Sequence, residues 1–139
     1  MSPWVFSPQS GGARIPPAKQ AEVRQRLERH AAQNYAGRYA RLDIRFRGAL
    51  CYMDAYQEPL PPDKKLLKIT GESETEYLAR VRATPVHLGR LRYFGGDRWS
   101  YAFYTYSNER YEPAFFPSGE WFGSPEEAMD VGAMYLDNA

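Results

Sequence analysis

The first half of the chain contains two contrasting patterns of apolar residues. Over residues 18–35 apolar side chains recur at every fourth position, which predicts a helix that Pro17 opens. Over residues 40–47 they alternate with charged side chains, which predicts a strand with one buried face. Residues 50–56 alternate again after a turn at Gly48, so the two strands are predicted to form a hairpin. This register places Cys51, Met53 and Ala55 inward, and Tyr52, Asp54 and Tyr56 outward.

The middle of the chain is predicted to form a second helix. Ser73 and Glu76 have the spacing of a capping box, in which each side chain accepts a hydrogen bond from a backbone N–H at the start of a helix. Pro85 ends this helix, because the residue before a proline is pushed toward extended geometry. Residues 63–68, which precede it, are predicted to be a short polar connector.

Three further strands and a last helix complete the pattern. The strands are predicted over residues 86–94, 99–106 and 111–116, with turn-forming residues between them. Ser124 followed by Pro125 starts a C-terminal helix. Strands and helices do not alternate regularly, so we predict a single α+β domain over residues 18–139. Its antiparallel sheet has about five strands, a hairpin plus a three-stranded meander, and it carries N-terminal, middle and C-terminal helices. Residues 1–17, which contain four prolines, are predicted to be a flexible arm.

Composition and charge narrow the class of protein. A chain of 139 residues has the size of one domain, and its net charge of +1 argues against a polybasic binder of nucleic acid or membrane. The charge is uneven: residues 1–50 carry +6 and residues 51–139 carry −5. These regions either form separate patches or attract each other within the fold or between copies. Cys51 is the single cysteine, and no secretory signal or apolar run of membrane length occurs, so a cytoplasmic protein is expected.

Several segments carry a resemblance to other sequences. They are Thr84–Gly95, Arg98–Ser100, Thr105–Pro113 and Gly123–Ala128, together with a looser likeness over residues 39–56. In these segments the chain resembles a group of short uncharacterised bacterial proteins with no assigned function. The resemblance implies a bacterial origin and a genuine domain, and it transfers no catalytic residue to this chain.

The outward side of the predicted sheet combines arginine with tyrosine. We call it the Arg/Tyr face and define it by Arg45, Arg47, Tyr52, Tyr56, Arg90, Arg92, Tyr104 and Tyr106. Arg41 alternates outward on the same side. Arginine binds phosphate and aromatic rings stack on unpaired bases, so the face predicts a small binding protein whose partner is another protein or single-stranded nucleic acid. Asp43 and Asp54 share this face, so arginine and tyrosine that only pair with their neighbours across a solvated sheet remain an open interpretation.

A second candidate surface is the aromatic loop, residues 113–122. It contains Phe115, Phe116, Trp121 and Phe122 beside prolines and a glycine that interrupt regular structure. Clustered aromatic side chains on a surface are typical of contact sites, so this loop predicts binding of a protein partner or formation of a homodimer.

Catalytic motifs are missing from the chain. None of the common nucleotide-binding, serine-hydrolase or zinc-protease patterns occurs, which favours a non-enzymatic protein without a cofactor or a metal. The alternative is a small hydrolase or nuclease in which carboxylates act with His87. The carboxylates available to it are Asp43, Asp54, Asp97, Glu109 and Glu112. A half-buried, hydrogen-bonded His87 with a structural role is the simpler interpretation.

Overall fold

The first helix, α1 (Pro17–Asn34), buries the apolar stripe that the sequence predicts. The computed structural model describes residues 10–136, and in it the buried residues of α1 are Val23, Leu27 and Ala31. Pro17 stands at the start of the helix, where a missing backbone N–H costs no hydrogen bond. The described residues include no helix that has both the length and the apolar character to cross a membrane.

Within the described residues, all the strands belong to one antiparallel sheet. Its main path runs in sequence order through β1 (Arg41–Arg47), β2 (Leu50–Tyr56), β3 (Val86–Tyr93), β4 (Trp99–Thr105) and β5 (Arg110–Ala114). A sixth short strand, β6 (Phe122–Gly123), pairs with the start of β4. The predicted α+β class and antiparallel sheet are confirmed. β6 was not predicted, because two residues are too few to show an alternating pattern.

Two helices, α2 (Lys64–Thr70) and α3 (Glu74–Ala83), connect β2 to β3. The predicted capping box of Ser73 and Glu76 is present at the start of α3. The prediction of a polar connector over residues 63–68 was wrong. The carboxylate of Asp63 accepts a hydrogen bond from the Leu66 N–H and starts α2, and Gly71, with a φ of 72°, ends it. Neither helix contains a buried residue.

The hydrophobic core lies between the sheet and two helices, α1 and α4 (Pro125–Gly132), the second of which continues as a 3₁₀ turn (Ala133–Leu136). The inward side chains of the first hairpin, Cys51, Met53 and Ala55, are fully buried, as predicted. The other large members of the core are Leu27, Ile44, Leu88, Leu91, Trp99, Tyr101, Phe116 and Met129. One face of the sheet is therefore covered, and the opposite face carries the outward side chains.

Charged side chains link α1 to the rest of the domain. The guanidinium of Arg26 donates hydrogen bonds to Asp97 in the β3–β4 turn and to Glu126 on α4, and these two carboxylates raise its pKa. His30 lies 2.7 Å from the Asp130 carboxylate. The basic first part of the chain thus meets the acidic second part within the fold.

Residues 10–16 pass the ends of the first three strands before α1 begins. The Ile15 N–H donates to the Gly48 carbonyl at 3.0 Å, and the Ala13 N–H donates to the Tyr93 carbonyl at 2.8 Å. The Ile15 side chain is fully buried. The other residues of the predicted arm, 1–9, lie outside the described part of the chain.

Candidate functional site: the Arg/Tyr face

The strand register places the predicted arginines and tyrosines on the side of the sheet that faces away from α1 and α4. Arg45 on β1 lies opposite Tyr52 on β2, and Tyr52 lies opposite Arg90 on β3. None of the eight predicted residues is buried, and Tyr106, just beyond the end of β4, is 54% exposed. The structure therefore brings these residues together on a surface open to solvent.

Two residues join the eight that define the face: Arg41, which strand alternation already places there, and Tyr111. Arg41 lies opposite Tyr56 on the first hairpin, and Tyr111 on β5 lies opposite Tyr104 on β4. Tyr111 was missed, although the hairpin register could have found it. A four-residue turn pairs Thr105 with Arg110, so the neighbouring tyrosines fall directly opposite each other.

Aromatic rings form a continuous cluster on this face. The His87 ring lies 4.4 Å from the Tyr104 ring, measured between centroids. Tyr104 packs edge-on against Tyr106 at 5.0 Å and against Tyr111 at 5.1 Å, and Tyr111 contacts Tyr52 at 5.7 Å. These edge-to-face contacts stabilise the cluster and hold its members in one orientation.

Tyrosine rings also hold three of the arginines. The guanidinium of Arg41 lies 3.8 Å from the Tyr56 ring centroid, that of Arg90 5.2 Å from Tyr111, and that of Arg45 5.6 Å from Tyr52. A guanidinium that rests on a ring is restrained, while the N–H donors at its edge stay available to a ligand.

Carboxylates neutralise few of the arginines on this face. Among residues 10–136, no ion pair with a carboxylate is formed by Arg41, Arg47, Arg90 or Arg92. On α3, by contrast, Arg80 and Arg82 each pair with a glutamate. Burial and the nearby positive charge of Arg90 lower the pKa of Arg92, and its Nε atom is buried without a hydrogen-bond partner. An anion bound between Arg90 and Arg92 would relieve this repulsion.

Asp54 and His87 form a hydrogen-bonded pair within the face. The Asp54 side chain is 2% exposed, and its two oxygens accept hydrogen bonds from His87 Nδ1 and from Arg45 Nη2, each at 2.8 Å. The first bond assigns the proton of a neutral His87 ring to Nδ1 and leaves a lone pair on Nε2. His87 is half-buried and hydrogen-bonded, as its structural interpretation predicts, so this geometry fits both interpretations of the residue.

The structure sorts the candidate carboxylates into two groups. Asp43 lies opposite Asp54 in the β1–β2 register and contacts Arg45 at 3.6 Å, so both aspartates share the face with His87. Asp97 instead pairs with Arg26, and Glu112 pairs with Arg110. Glu109 lies in the β4–β5 turn with a φ of 52°.

Tyr111 has a perturbed hydroxyl. Burial, and then the negative charge of Asp54, raise the pKa of this tyrosine. Its hydroxyl therefore keeps its proton at neutral pH and can donate a hydrogen bond to a bound oxygen. Shallow depressions border the face near Tyr111 and Pro113 and near Arg45 and Arg47.

The aromatic loop divides between core and surface. Phe116 is buried at 2% exposure against Tyr101, whereas Phe115 is 53% exposed and stacks on Trp121 at 4.0 Å. The exposed part is one pair of rings, which is smaller than the patches that mark protein contact sites. Binding of a partner or a second copy through this loop stays a prediction.

The fold and the face define a small α+β domain with one open sheet surface rich in arginine and tyrosine. No protein-family model, no curated protein and no solved structure matches this chain. The resemblance to a group of bacterial proteins thus stays a prediction, and the function is argued from the chemistry of the face.

Proposed function

We propose that this protein binds single-stranded nucleic acid on the Arg/Tyr face. One observation carries the proposal. The guanidinium groups of Arg41 and Arg90 pack on tyrosine rings and form no ion pair with a carboxylate of the described residues, and they lie on a surface open to solvent. Restrained guanidinium groups suit phosphates, and the neighbouring rings suit unstacked bases.

The charge of the face supports a polyanionic ligand. Five arginines lie on it, at positions 41, 45, 47, 90 and 92, against the two aspartates at positions 43 and 54. Asp54 is buried and hydrogen-bonded to Arg45 and His87, so little of its charge reaches solvent. The face is locally positive although the whole chain is nearly neutral, and this field favours the approach of a phosphate backbone.

The shape of the face favours an unpaired strand over a duplex. Four neighbouring strands at about 4.8 Å spacing give a surface about 14 Å wide, which is too broad to enter a groove of a double helix. Stacking on a tyrosine ring also requires a base that is not already stacked within a duplex.

Fluorescence anisotropy with labelled oligonucleotides tests the proposal. The probes are RNA and DNA strands of about 16 nucleotides and mixed sequence, together with the matching duplex. We expect the single strands to bind at about 50 mM salt and the affinity to fall steeply as salt is raised. The absence of an anisotropy change with both single strands at low salt would refute the proposal.

Matched variants locate the binding surface. Arg90→Ala removes one phosphate contact, so we expect weaker binding and a logarithmic salt slope reduced by about one. Arg29→Ala is the control, because Arg29 is exposed on α1, which packs against the opposite face of the sheet. Equal losses of affinity in the two variants would show that binding depends on overall charge and not on the face.

The exposed tyrosine separates stacking from hydrogen bonding. Tyr106→Ala removes a ring, and loss of one base–ring stack is worth about 1–3 kcal/mol. Tyr106→Phe keeps the ring and removes only the hydroxyl, so it should bind nearly as tightly as the wild type. Equal weakening in both variants would contradict a stacking role for Tyr106.

A further inference from the structure

We infer that the Arg/Tyr face also cleaves the RNA it binds, with His87 as the general base that activates a 2′-hydroxyl group. This inference rests on the proposed binding of single strands. Its basis is the arrangement of Asp54, His87 and Arg45, in which a buried carboxylate holds an imidazole and a guanidinium side by side.

The Asp54–His87 pair has the geometry that a general base requires. The buried carboxylate accepts the Nδ1 hydrogen bond at 2.8 Å, which fixes the orientation and the tautomer of the ring. Nε2 bonds to no described residue, and it is not among the side-chain atoms that are buried without a partner. The lone pair of Nε2 is therefore not sealed off from solvent, and His87 lies on the same side of the sheet as the arginines.

The described residues offer His87 no nucleophilic side chain. No serine, threonine or cysteine of residues 10–136 forms a hydrogen bond with His87. Cys51 points into the core, and burial raises the pKa of its thiol to about 12. RNA carries its own nucleophile, the 2′-hydroxyl next to each phosphodiester, so a base without a nucleophilic partner suits this substrate.

The reaction is an internal transesterification. Nε2 of His87 takes the proton of the 2′-hydroxyl, the 2′-oxygen bonds to the adjacent phosphorus, and the bond from phosphorus to the 5′-oxygen breaks. The Tyr106 hydroxyl, 3.3 Å from the His87 backbone nitrogen, donates its proton to the leaving 5′-oxygen. Arg45 and Arg90 stabilise the added negative charge on the phosphorus centre. The products are a 2′,3′-cyclic phosphate and a 5′-hydroxyl strand, and the proton on His87 returns through solvent to Tyr106.

Cleavage is tested on the same labelled RNA in the presence of EDTA, which silences contaminating metal-dependent nucleases. We expect fragments that end in a 2′,3′-cyclic phosphate by mass spectrometry. A 2′-O-methyl strand of the same sequence should bind and remain intact, because its 2′-oxygen has no proton to lose. Fragments that end in a linear 3′-phosphate from the outset, or cleavage of the 2′-O-methyl strand, would overturn the inference.

Two variants of His87 test the base. His87→Asn retains a donor for Asp54 but lacks Nε2, so we expect cleavage to slow at least about 100-fold. His87→Gln serves as a second variant if the first melts at a lower temperature. Both should bind the 2′-O-methyl strand within about twofold of the wild type, since phosphate contacts supply most of the affinity. The control is His30→Asn, which alters the histidine paired with Asp130 away from the face and should cleave like the wild type.

Asp54→Asn tests the positioning role of the carboxylate. We expect a slower rate at saturating RNA, because the imidazole loses its fixed tautomer. Binding of the 2′-O-methyl strand should not weaken, because the substitution removes a negative charge beside Arg45 and no phosphate contact. A fall in affinity alone would indicate a merely structural role and contradict this assignment.

Binding and cleavage can fail separately. Binding of RNA without cleavage overturns the inference and leaves the proposed function intact, whereas failure to bind RNA or DNA overturns both. Equal cleavage by the wild type and both His87 variants would identify a contaminant and likewise overturn the inference.

Discussion

Gly132→Ala is the substitution for which the structure and helix propensity make opposite predictions. Gly132 is the last residue of α4, where the helix packs directly against the backbone of Leu88 on β3. Alanine is the best helix former, and by propensity alone it would stabilise the protein by up to about 1 kcal/mol. The packing argument predicts the opposite sign.

The expected loss follows from the distances at this contact. A Cβ on Gly132 would lie 1.9 Å from the Leu88 carbonyl oxygen, whereas real Cβ atoms essentially never approach closer than 3.0 Å. The obstacle is backbone, which cannot rotate away as a side chain can, so α4 must shift outward by about an ångström and loosen its packing. Overpacking of this kind costs about 3 kcal/mol, and after the helix gain a net loss of about 2 kcal/mol remains.

Urea unfolding followed by circular dichroism measures this loss, and a thermal melt should show a drop of about 6–10 °C for a chain of this size. Ala32→Gly is the matched control, because Ala32 is exposed on α1 and reports helix propensity without packing. That variant should lose about 1 kcal/mol. We thus expect both Gly132→Ala and Ala32→Gly to destabilise the protein, although one replaces glycine by alanine and the other replaces alanine by glycine. An increase in stability for Gly132→Ala would refute the packing argument.

Two further predictions concern the buried thiol and a helix cap. The pKa of Cys51 is raised from 9.0 to about 12, so stability present below about pH 9 is lost as the pH rises toward 12, by about 1 kcal/mol at about pH 10. Cys51→Ala should flatten this part of the pH dependence in urea titrations, and parallel curves would contradict the assignment. Ser124→Ala removes the capping box with Glu127 and should cost about 1 kcal/mol, whereas Ser124→Asp should retain most of that stability. Equal urea midpoints for the two Ser124 variants would argue against a capping role.

The strands that the sequence predicts best are those with one face buried. The alternation over β1 and β2 places Ile44 and Met53 in the core, because α1 and α4 cover only one side of the sheet. The helix α2 has no such pattern, since its two half-buried leucines are adjacent and no residue in it is buried. Asp63 starts α2 and Gly71 ends it, and these single capping residues are not visible in the spacing of apolar residues.

The candidate site was predictable in part. Tyr52 and Arg45 share a face because strand alternation puts them there, and this needs no knowledge of the rest of the fold. The pairing of Asp54 with His87 was not predictable in the same way. His87 and Arg90 are three positions apart on β3, so strict alternation sends them to opposite faces of the sheet.

An irregularity in the β2–β3 pairing resolves this conflict. Met53 pairs with Gly89 and Asp54 pairs with His87, which leaves Leu88 as an extra residue on β3. The bulge turns His87 onto the Arg/Tyr face while the Leu88 side chain stays in the core.

Three groups hold that bulge in place. Gly89 adopts a φ of 132° and leaves room for the Tyr101 ring, whose hydroxyl donates to the Leu88 carbonyl at 2.6 Å, and Gly132 lets α4 rest on the same carbonyl. Side chains larger than hydrogen at either glycine would press on the segment that aims His87 at Asp54. The position of the imidazole on the Arg/Tyr face is therefore set by packing on the opposite, buried face of the sheet.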